Sequence, residues 1–306
     1  MPATTYNGLR LRCQILLDWR LYREMPLPVI LSYIQTRPLL EARRRGEAVV
    51  EISLDLGMSR ASVTLDTEGV SFPGGERLDW AGIEKISQSE VNCYTLDADG
   101  VRAVQTFSEE TNRVCSLMPT RGAPSMLIAG FVMHRIKDVD PWQDTQRKIA
   151  AIAPVSGAVL DTATGLGYTA ILAARSAGSV TTIELDPGAQ AMARLNPWSQ
   201  ELFTSPKITQ IMGDAYEVVP TLASESFERI IHDPPTFSLA GELYSGAFYR
   251  ELYRILKRGG RLFHYIGDPS SKASGGVTRG ALKRLQEAGF ARVVRRPEAY
   301  GVVVYK

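Results

Sequence analysis

In the second half of the chain, short apolar runs alternate with longer stretches in which apolar residues recur at helical spacing. The runs predict strands, and the stretches between them predict helices. The predicted strands are Ala158–Leu160, Val180–Leu185, Ile208–Met212, Arg229–His232, Arg261–Ile266, Ala291–Arg296 and Gly301–Lys306. The predicted helices are Tyr168–Ala177, Pro187–Asn196, Gly246–Leu256 and Thr278–Ala288. This alternation predicts an α/β fold with a doubly wound, seven-stranded, mostly parallel sheet.

The first half has a different pattern, in which apolar and polar residues alternate with a period of two. Alternation of this kind is typical of strands with one buried and one solvated face. The predicted strands are Val49–Leu54, Ala61–Leu65, Val70–Phe72 and Val101–Phe107, with turns at Pro73–Gly75 and Asp97–Gly100 and helices at Leu9–Glu24 and Leu39–Arg45. We therefore expect a β-rich N-terminal domain at residues 1–135 and a second domain at residues 136–306.

Composition narrows the class of protein. Of 306 residues, 44% are hydrophobic and 22% are charged, which is typical of an ordered globular chain, and the net charge of +2 demands no polyanionic partner. No apolar run reaches the ~18 residues that cross a bilayer. The N-terminal residues lack a signal-peptide core, and the three cysteines form no CxxC pair. We expect a reduced, cytoplasmic protein without a membrane span, a disulfide framework or a metal site.

The first predicted strand of the second half leads into a glycine turn. Gly165 and Gly167 lie where the chain must turn from strand to helix. Glycine permits a positive φ and lets a ligand approach the backbone closely. With Ala170, the two glycines also fit the Gly-x-Gly-x-x-Ala pattern of dinucleotide sites, so the turn alone leaves the nucleotide open.

Carboxylates follow the next three predicted strands. Glu184 ends the second strand, where a carboxylate can accept hydrogen bonds from both hydroxyls of a ribose. Asp214 follows the third strand, where a carboxylate can accept a hydrogen bond from the exocyclic amine of adenine. Asp233 follows the fourth strand and begins the segment Asp-Pro-Pro-Thr. These strand ends meet at one edge of a parallel sheet, so they predict a single nucleoside site.

With these motifs in this order, residues 140–306 resemble the class I S-adenosylmethionine-dependent methyltransferases, which have a Rossmann-like fold. The resemblance implies S-adenosylmethionine as cofactor, with ribose recognition by Glu184 and adenine recognition by Asp214 and Ala215. The predicted cofactor-binding set is completed by Asp161, Thr162, Gly165, Gly167, Tyr168, Leu185, Gly213 and Asp233. The whole chain also resembles a group of predicted archaeal methyltransferases with a spermidine-synthase-like outline, and that likeness implies no substrate.

Asp233, Pro234 and Thr236 are the predicted catalytic residues. Methyl transfer is an in-line displacement that places positive charge on the acceptor, which a carboxylate or a rigid carbonyl can stabilise. The segment is similar to the (Asp/Asn)-Pro-Pro-aromatic motif of nitrogen methyltransferases, and to a segment of some ribosomal RNA base methyltransferases. It differs at Thr236, where Phe237, one residue later, can supply the ring. A nitrogen acceptor is therefore predicted.

Further substrate contacts are predicted at Arg121, His134, Phe237 and Tyr244. Arg121 can act as an anion clamp or be a solvated loop residue, and both interpretations are open. His134, His232 and His264 are expected to be hydrogen-bonded structural residues, because their spacing does not predict a metal site.

Other functions and partners stay open. An aminopropyltransferase of the spermidine synthase type is the main alternative, although the acidic glycine-rich motif expected of that family is replaced by Thr164-Gly165-Leu166-Gly167. Two further alternatives are a nicotinamide-dependent dehydrogenase and a protein that binds the nucleotide without catalysis. The acceptor can be RNA, a protein or a small amine, and an oligomer is possible. The late basic residues, which include Lys272, Arg279, Lys283 and Arg284, can form a solvated face or an RNA-facing surface.

Overall fold

A computed structural model describes residues 28–97, 100–267 and 274–306. The predicted helix Leu9–Glu24 and the basic residue Lys272 lie outside these residues, as does part of the predicted turn Asp97–Gly100. No helix in the described ranges is long and apolar enough to span a membrane.

The N-terminal module begins with two small antiparallel sheets. Its elements are β1 (Val29–Leu31), α1 (Tyr33–Arg45), β2 (Val49–Ile52), β3 (Ala61–Leu65), β4 (Gly69–Ser71), β5 (Arg77–Asp79), α2 (Trp80–Ser87), β6 (Tyr94–Asp97) and β7 (Gly100–Ala103). Strands β2 to β5 form a meander, and β1, β6 and β7 form a three-stranded sheet. Their apolar faces and both helices share one core, which includes Leu31, Leu39 and Ile83.

Helix α1 begins six residues before its predicted start at Leu39. Ser32 caps the helix, and the side chain of Gln35 accepts a hydrogen bond from the Ser32 backbone N–H at 3.0 Å. This capping box fixes the helix start and satisfies two otherwise free N–H groups. Pro38 therefore lies inside the helix, where it removes one backbone hydrogen bond, and does not begin it.

The predicted strand Val101–Phe107 is wrong as a single element, because the chain changes sheets within it. Strand β7 ends at Ala103, and β8 (Gln105–Ser108) begins a third sheet with β9 (Arg113–Met118), β10 (Ser125–Ile128) and β11 (Phe131–Val132). Val104 joins the two sheets: its N–H donates to the Cys93 carbonyl at 2.8 Å, and its carbonyl accepts from Leu117 at 2.9 Å.

The second half contains the predicted large sheet. Its elements are α3 (Pro141–Ile152), β12 (Ala158–Asp161), α4 (Tyr168–Ala174), β13 (Ser179–Glu184), α5 (Pro187–Leu195), α6 (Gln200–Thr204), β14 (Ile208–Met212), α7 (Ala215–Val218), β15 (Phe227–His232), α8 (Gly246–Ile255), β16 (Leu256–Tyr265), α9 (Ser274–Glu287), β17 (Arg292–Arg296) and β18 (Gly301–Tyr305). The strand order is β14-β13-β12-β15-β16-β18-β17. All neighbours are parallel except β18, which is antiparallel to β16 and β17. This order confirms the predicted doubly wound fold.

The topology determines where a ligand can bind. The chain moves outward from β12 through β13 to β14, and then returns to the other side of β12 with β15. The strand order therefore reverses at β12 and β15, and a crevice forms at their carboxyl ends. Val159, Leu160, Ile230 and Ile231 on these strands are fully buried between the helix layers.

The third N-terminal sheet packs against this second half. Cys115, Leu117, Met126 and Ile128 on its inner face share a core with Tyr168 and the residues around it. The boundary predicted between residues 135 and 136 falls in the segment that joins β11 to α3. Helix α3 begins at Pro141 and is capped by Asp140, which accepts hydrogen bonds from the N–H groups of Trp142 and Gln143.

Candidate active site

A cavity of about 790 Å³ lies at the carboxyl ends of β12 to β16. One wall comes from the third N-terminal sheet, through residues such as Arg113, Met126 and Ile128. Most of the predicted site residues line this cavity: His134, Thr162, Gly165, Tyr168, Glu184, Leu185, Gly213, Asp214, Ala215, Asp233, Pro234, Thr236, Phe237 and Tyr244. Asp161, Gly167 and Arg121 do not line it.

The two glycines of the turn have different roles. Both have a positive φ, 52° for Gly165 and 79° for Gly167. A side chain on Gly165 would extend into open space, and Gly165 lines the cavity. A Cβ on Gly167 would lie 2.6 Å from the side chain of Leu202. Gly167 therefore permits close packing against α6, and its contact with the cofactor stays a prediction.

Asp161 is buried beneath the cavity and does not line it. Its Oδ2 accepts hydrogen bonds from the hydroxyls of Thr169 at 3.0 Å and Thr182 at 2.8 Å. Burial raises the pKa of Asp161 to about 7. Thr162 and Thr169 line the cavity above this carboxyl, and the contact of Asp161 with the cofactor stays a prediction.

Glu184 lies at the end of β13, with one oxygen turned toward the glycine turn and the other toward the backbone that follows the strand. Its Oε2 accepts the Gly165 N–H at 2.7 Å, and its Oε1 accepts the Asp186 N–H at 2.9 Å. Burial raises the pKa of Glu184 to about 7, although these two hydrogen bonds oppose the shift. The next residue, Leu185, exposes its side chain to the cavity. A carboxylate and an apolar surface thus stand side by side at this strand end.

Asp214 follows β14 and caps the short helix α7 by accepting the Tyr216 N–H at 2.8 Å. The preceding Gly213 donates its N–H to the Glu184 carbonyl at 2.8 Å. This bond ties the end of β14 to the end of β13, so that the two carboxylates open into the same cavity. Ala215, which is buried, adds an apolar surface beside Asp214.

At the opposite end of the cavity, Asp233 belongs to a buried network of ion pairs that the sequence did not predict. Lys148 donates from Nζ to Asp233 Oδ2 at 2.6 Å and lies 3.1 Å from Asp144 Oδ2. Arg135 lies 3.5 Å from the other oxygen of Asp144. Burial opposes the charge on Lys148, but Asp233 and Asp144 outweigh it and raise its pKa above the ordinary value. Burial raises the pKa of Asp144, and Lys148 partly opposes that shift.

The loop after Asp233 is held by aromatic residues. Tyr244 is buried, and its hydroxyl donates to the Pro235 carbonyl at 3.0 Å. Phe237 is 50% exposed and packs edge-on against Tyr244, with ring centroids 5.6 Å apart. Thr236 is exposed, and its hydroxyl lies 3.1 Å from that of Ser238. Pro234 is buried, and no described residue donates a hydrogen bond to its carbonyl.

Arg284 is one of the basic residues of α9 that were predicted to form a solvated or RNA-facing surface, but its side chain turns toward the loop that follows Asp233. Its Nε donates to the Tyr244 carbonyl at 2.7 Å, so this side chain supports the loop from behind. Lys283 on the same helix is 77% exposed, as a solvated face predicts.

The histidines are hydrogen-bonded, as expected. His232 is buried between the Thr162 hydroxyl at 2.7 Å and the Leu243 carbonyl at 3.0 Å. His264 contacts the hydroxyl of Tyr249 at 2.8 Å. His134 lines the cavity, lies 3.1 Å from the Ser125 hydroxyl, and has a pKa lowered to about 3 by burial.

Arg121 is exposed and does not line the cavity, which favours the solvated loop arginine of the two interpretations. Among the described residues, no group of three His, Cys, Asp or Glu side chains is arranged to hold a metal ion.

Comparisons with known proteins agree with this geometry. A family model described as a methyltransferase domain matches residues 160–264. The uncharacterized protein MJ1233 of Methanocaldococcus jannaschii is 40% identical over 289 residues, which cover 92% of this chain and 98% of that protein. A solved spermidine synthase in complex with the transition state analogue AdoDATO has a TM-score of 0.55 at 17% identity, over 69% of this chain and 74% of its own. Spermidine synthase from Thermotoga maritima has a TM-score of 0.52 at 16% identity, over 69% and 73%.

The two spermidine synthases are too distant in sequence to show more than the fold. The matched methyltransferase domain covers the glycine turn and the ends of β13, β14 and β15, which are the segments that line the cavity. The chain therefore belongs to one family with MJ1233, and its second half contains a segment that matches a methyltransferase domain, in agreement with the predicted class I methyltransferase fold.

Proposed function

We propose that this protein transfers the methyl group of S-adenosylmethionine to a nitrogen atom. The observation that carries the proposal is the position of Asp233. It opens into the same cavity as Glu184 and Asp214, and one of its oxygens is fixed by Lys148. The other oxygen is left to face an acceptor. RNA bases, small amines and protein side chains are the candidate acceptors.

The residues of the cavity fit the methyl donor. Gly165 leaves open space where a side chain would intrude on a ligand. Glu184 would accept hydrogen bonds from the ribose hydroxyls. Asp214 would accept a hydrogen bond from the adenine amine, with the adenine held between the apolar surfaces of Leu185 and Ala215. Thr162 and Thr169 line the part of the cavity that would hold the methionine end, with their hydroxyls fixed by His232 and Asp161. When bound, S-adenosylmethionine supplies a methyl carbon that is made electrophilic by its sulfonium.

Asp233 and Pro234 would position the acceptor. The free oxygen of Asp233 and the carbonyl of Pro234 both accept hydrogen bonds, so together they orient an –NH₂ group and its lone pair. The lone pair forms the new N–C bond, and the electron pair of the C–S bond remains on sulfur. The surplus proton on nitrogen passes to Asp233 or to water. As positive charge grows on nitrogen, the carboxylate stabilises it.

The loop is built to keep this geometry. Tyr244 fixes the Pro235 carbonyl, and the two prolines restrict the backbone that follows Asp233. Thr236 stands where the nitrogen methyltransferase motif has an aromatic residue. Phe237 lies next to it at the rim of the cavity, and its ring can stack on a planar acceptor instead. These features favour an amino group on a flat ring among the possible acceptors.

A labelled-methyl assay tests the proposal. Cell extract is separated into RNA, protein and small-molecule fractions, and each is incubated with the enzyme and methyl-labelled S-adenosylmethionine. We expect label in one fraction with the wild type and at least a hundredfold less with Asp233→Asn. Calorimetry should show that Asp233→Asn binds the cofactor nearly as well as the wild type. The substitution Lys85→Met, at an exposed position on α2 away from the cavity, is the control and should behave like the wild type.

The aminopropyltransferase alternative rests on fold likeness alone. Incubation with decarboxylated S-adenosylmethionine and putrescine separates the two functions. Formation of spermidine would favour the aminopropyltransferase over the methyltransferase. Failure of S-adenosylmethionine to bind at millimolar concentration would contradict the methyltransferase proposal.

A further inference from the structure

The acceptor end of the cavity contains a buried cation beside Asp233, the residue that the proposed function assigns to the acceptor. Lys148 is 4% exposed, and its Nζ lies 2.6 Å from Asp233 and 3.1 Å from Asp144, which is 1% exposed. Nζ also lies 4.7 Å from the centroid of the Tyr265 ring. The ammonium is thus enclosed by two carboxylates and an aromatic face, so its position is fixed.

The charges around Asp233 balance. Lys148 and Arg135 face Asp144 and Asp233, which gives two cations and two carboxylates. At the rim, Lys137 and Glu242 are both exposed and carry opposite charges. His134, Tyr244 and Tyr265, which also lie on this side, are neutral at ordinary pH. Asp161, beneath the cavity, interacts electrostatically with Asp233 and has a pKa raised to about 7 by burial. The network that holds Asp233 therefore has no net charge of its own with which to attract a cationic substrate.

We infer that the acceptor nitrogen is uncharged when it enters the site, as in the amino group of a nucleobase or another aromatic ring, and that Lys148 excludes protonated aliphatic amines. This inference rests on the proposed methyltransferase function. An ammonium that reached hydrogen-bond distance of Asp233 would also lie within several ångströms of Lys148, where two like charges repel strongly in a partly desolvated cavity.

The same arrangement leaves an uncharged N–H group unaffected. The free oxygen of Asp233 can still accept its hydrogen bond, because Lys148 uses only Oδ2. An aromatic amine carries its lone pair without first losing a proton, so no separate base is needed before transfer. Lys148 thus positions Asp233 and sets the charge that the acceptor may carry.

The test measures binding of two cofactor analogues and needs no acceptor. One is S-adenosylhomocysteine, which has a neutral sulfur. The other is sinefungin, which carries a C–NH₃⁺ group in place of S–CH₃ and so places an ammonium toward the acceptor end. We compare their dissociation constants by calorimetry at pH 7.5 for the wild type, Lys148→Met, Lys148→Arg and the exposed control Lys283→Met.

In the wild type, the sinefungin dissociation constant should be no lower than that of S-adenosylhomocysteine. In Lys148→Met the ratio should move in favour of sinefungin by about tenfold or more, because Asp233 is no longer neutralised. Lys148→Arg, which keeps the charge, and Lys283→Met should keep the wild-type ratio. If Lys148→Met does not fold, the double variant Asp144→Asn/Lys148→Met removes one carboxylate with the cation and takes its place.

The outcomes separate this inference from the proposed function. If both analogues bind and the ratio in the Lys148 variant stays within twofold of the wild type, the inference is overturned while the methyltransferase proposal stands. If neither analogue binds any of the proteins, the proposed function fails and this inference fails with it. Methylation of putrescine by the wild type would also overturn the inference.

Discussion

Affinity for S-adenosylmethionine is expected to rise with pH through neutrality, because Glu184 must be ionised to accept hydrogen bonds from both ribose hydroxyls. Burial raises the pKa of this carboxyl to about 7 in the ligand-free protein. A protonated Glu184 offers one donor and loses acceptor capacity, so it binds the ribose poorly. S-adenosylmethionine therefore binds mainly to the protein molecules in which Glu184 is ionised.

The size of the effect follows from the pKa. With a pKa of about 7, roughly a tenth of Glu184 is ionised at pH 6 and about nine tenths at pH 8. Apparent affinity scales with the competent fraction, so it should rise about tenfold between these values, or about 1.4 kcal/mol. Stability of the ligand-free protein changes in the opposite sense: a carboxyl pKa raised on folding makes stability fall as pH rises from about 4.5 to 7.

Calorimetric titration of S-adenosylmethionine at half-unit steps from pH 6 to 8 measures this slope. Glu184→Gln keeps the shape of the side chain without its titration, so its affinity should be lower at pH 8 and nearly independent of pH. Asp161 also has a pKa of about 7, and Asp161→Asn serves as the control for its contribution. A flat wild-type profile, or a tenfold slope that persists in Glu184→Gln, would refute the reasoning.

Three substitutions test the roles of cavity residues separately. Gly165→Ala places an alanine at a positive φ, which should lower the free energy of unfolding by about 1–2 kcal/mol. The new methyl group extends into the cavity, so calorimetry should also show weaker cofactor binding. Gly167→Ala adds a clash with Leu202 and should cost about 2–4 kcal/mol in urea unfolding; a smaller loss than for Gly165→Ala would contradict the packing role. Phe237→Ala should change stability by less than about 1 kcal/mol and leave cofactor binding intact, but slow methyl incorporation into the acceptor fraction; an unchanged rate would exclude a stacking role.

The cofactor end of the site was predictable because its residues follow strands. Glu184, Asp214 and Asp233 each come directly after an apolar run, and parallel strands bring such positions to one edge of the sheet. Asp161 and Gly167 differ from these residues, because neither lines the cavity. The sequence does not reveal whether a residue at a strand end touches the ligand or supports the residue that does.

Lys148 was missed for a physical reason. With Asp144 it forms an i,i+4 pair on α3, and in sequence such pairs indicate a solvated helix face. Only the packing of α3 against β16 brings the pair into the interior and sets Lys148 beside Asp233, 85 residues away in the chain. The strands β9 to β11 were missed because they lie in a stretch without strong alternation of apolar and polar residues.

The N-terminal module takes part in the site. Thr111 donates to Asp186 at 2.8 Å, beside the predicted ribose carboxylate, and the hydroxyl of Tyr168 donates to the Pro124 carbonyl at 2.8 Å. Arg113 and Met126 line the cavity opposite the strand ends. A domain that begins at residue 136 would keep the cofactor motifs and lose this wall. The similarity to MJ1233 extends over 92% of the chain, through both halves, as expected if the acceptor is recognised between them.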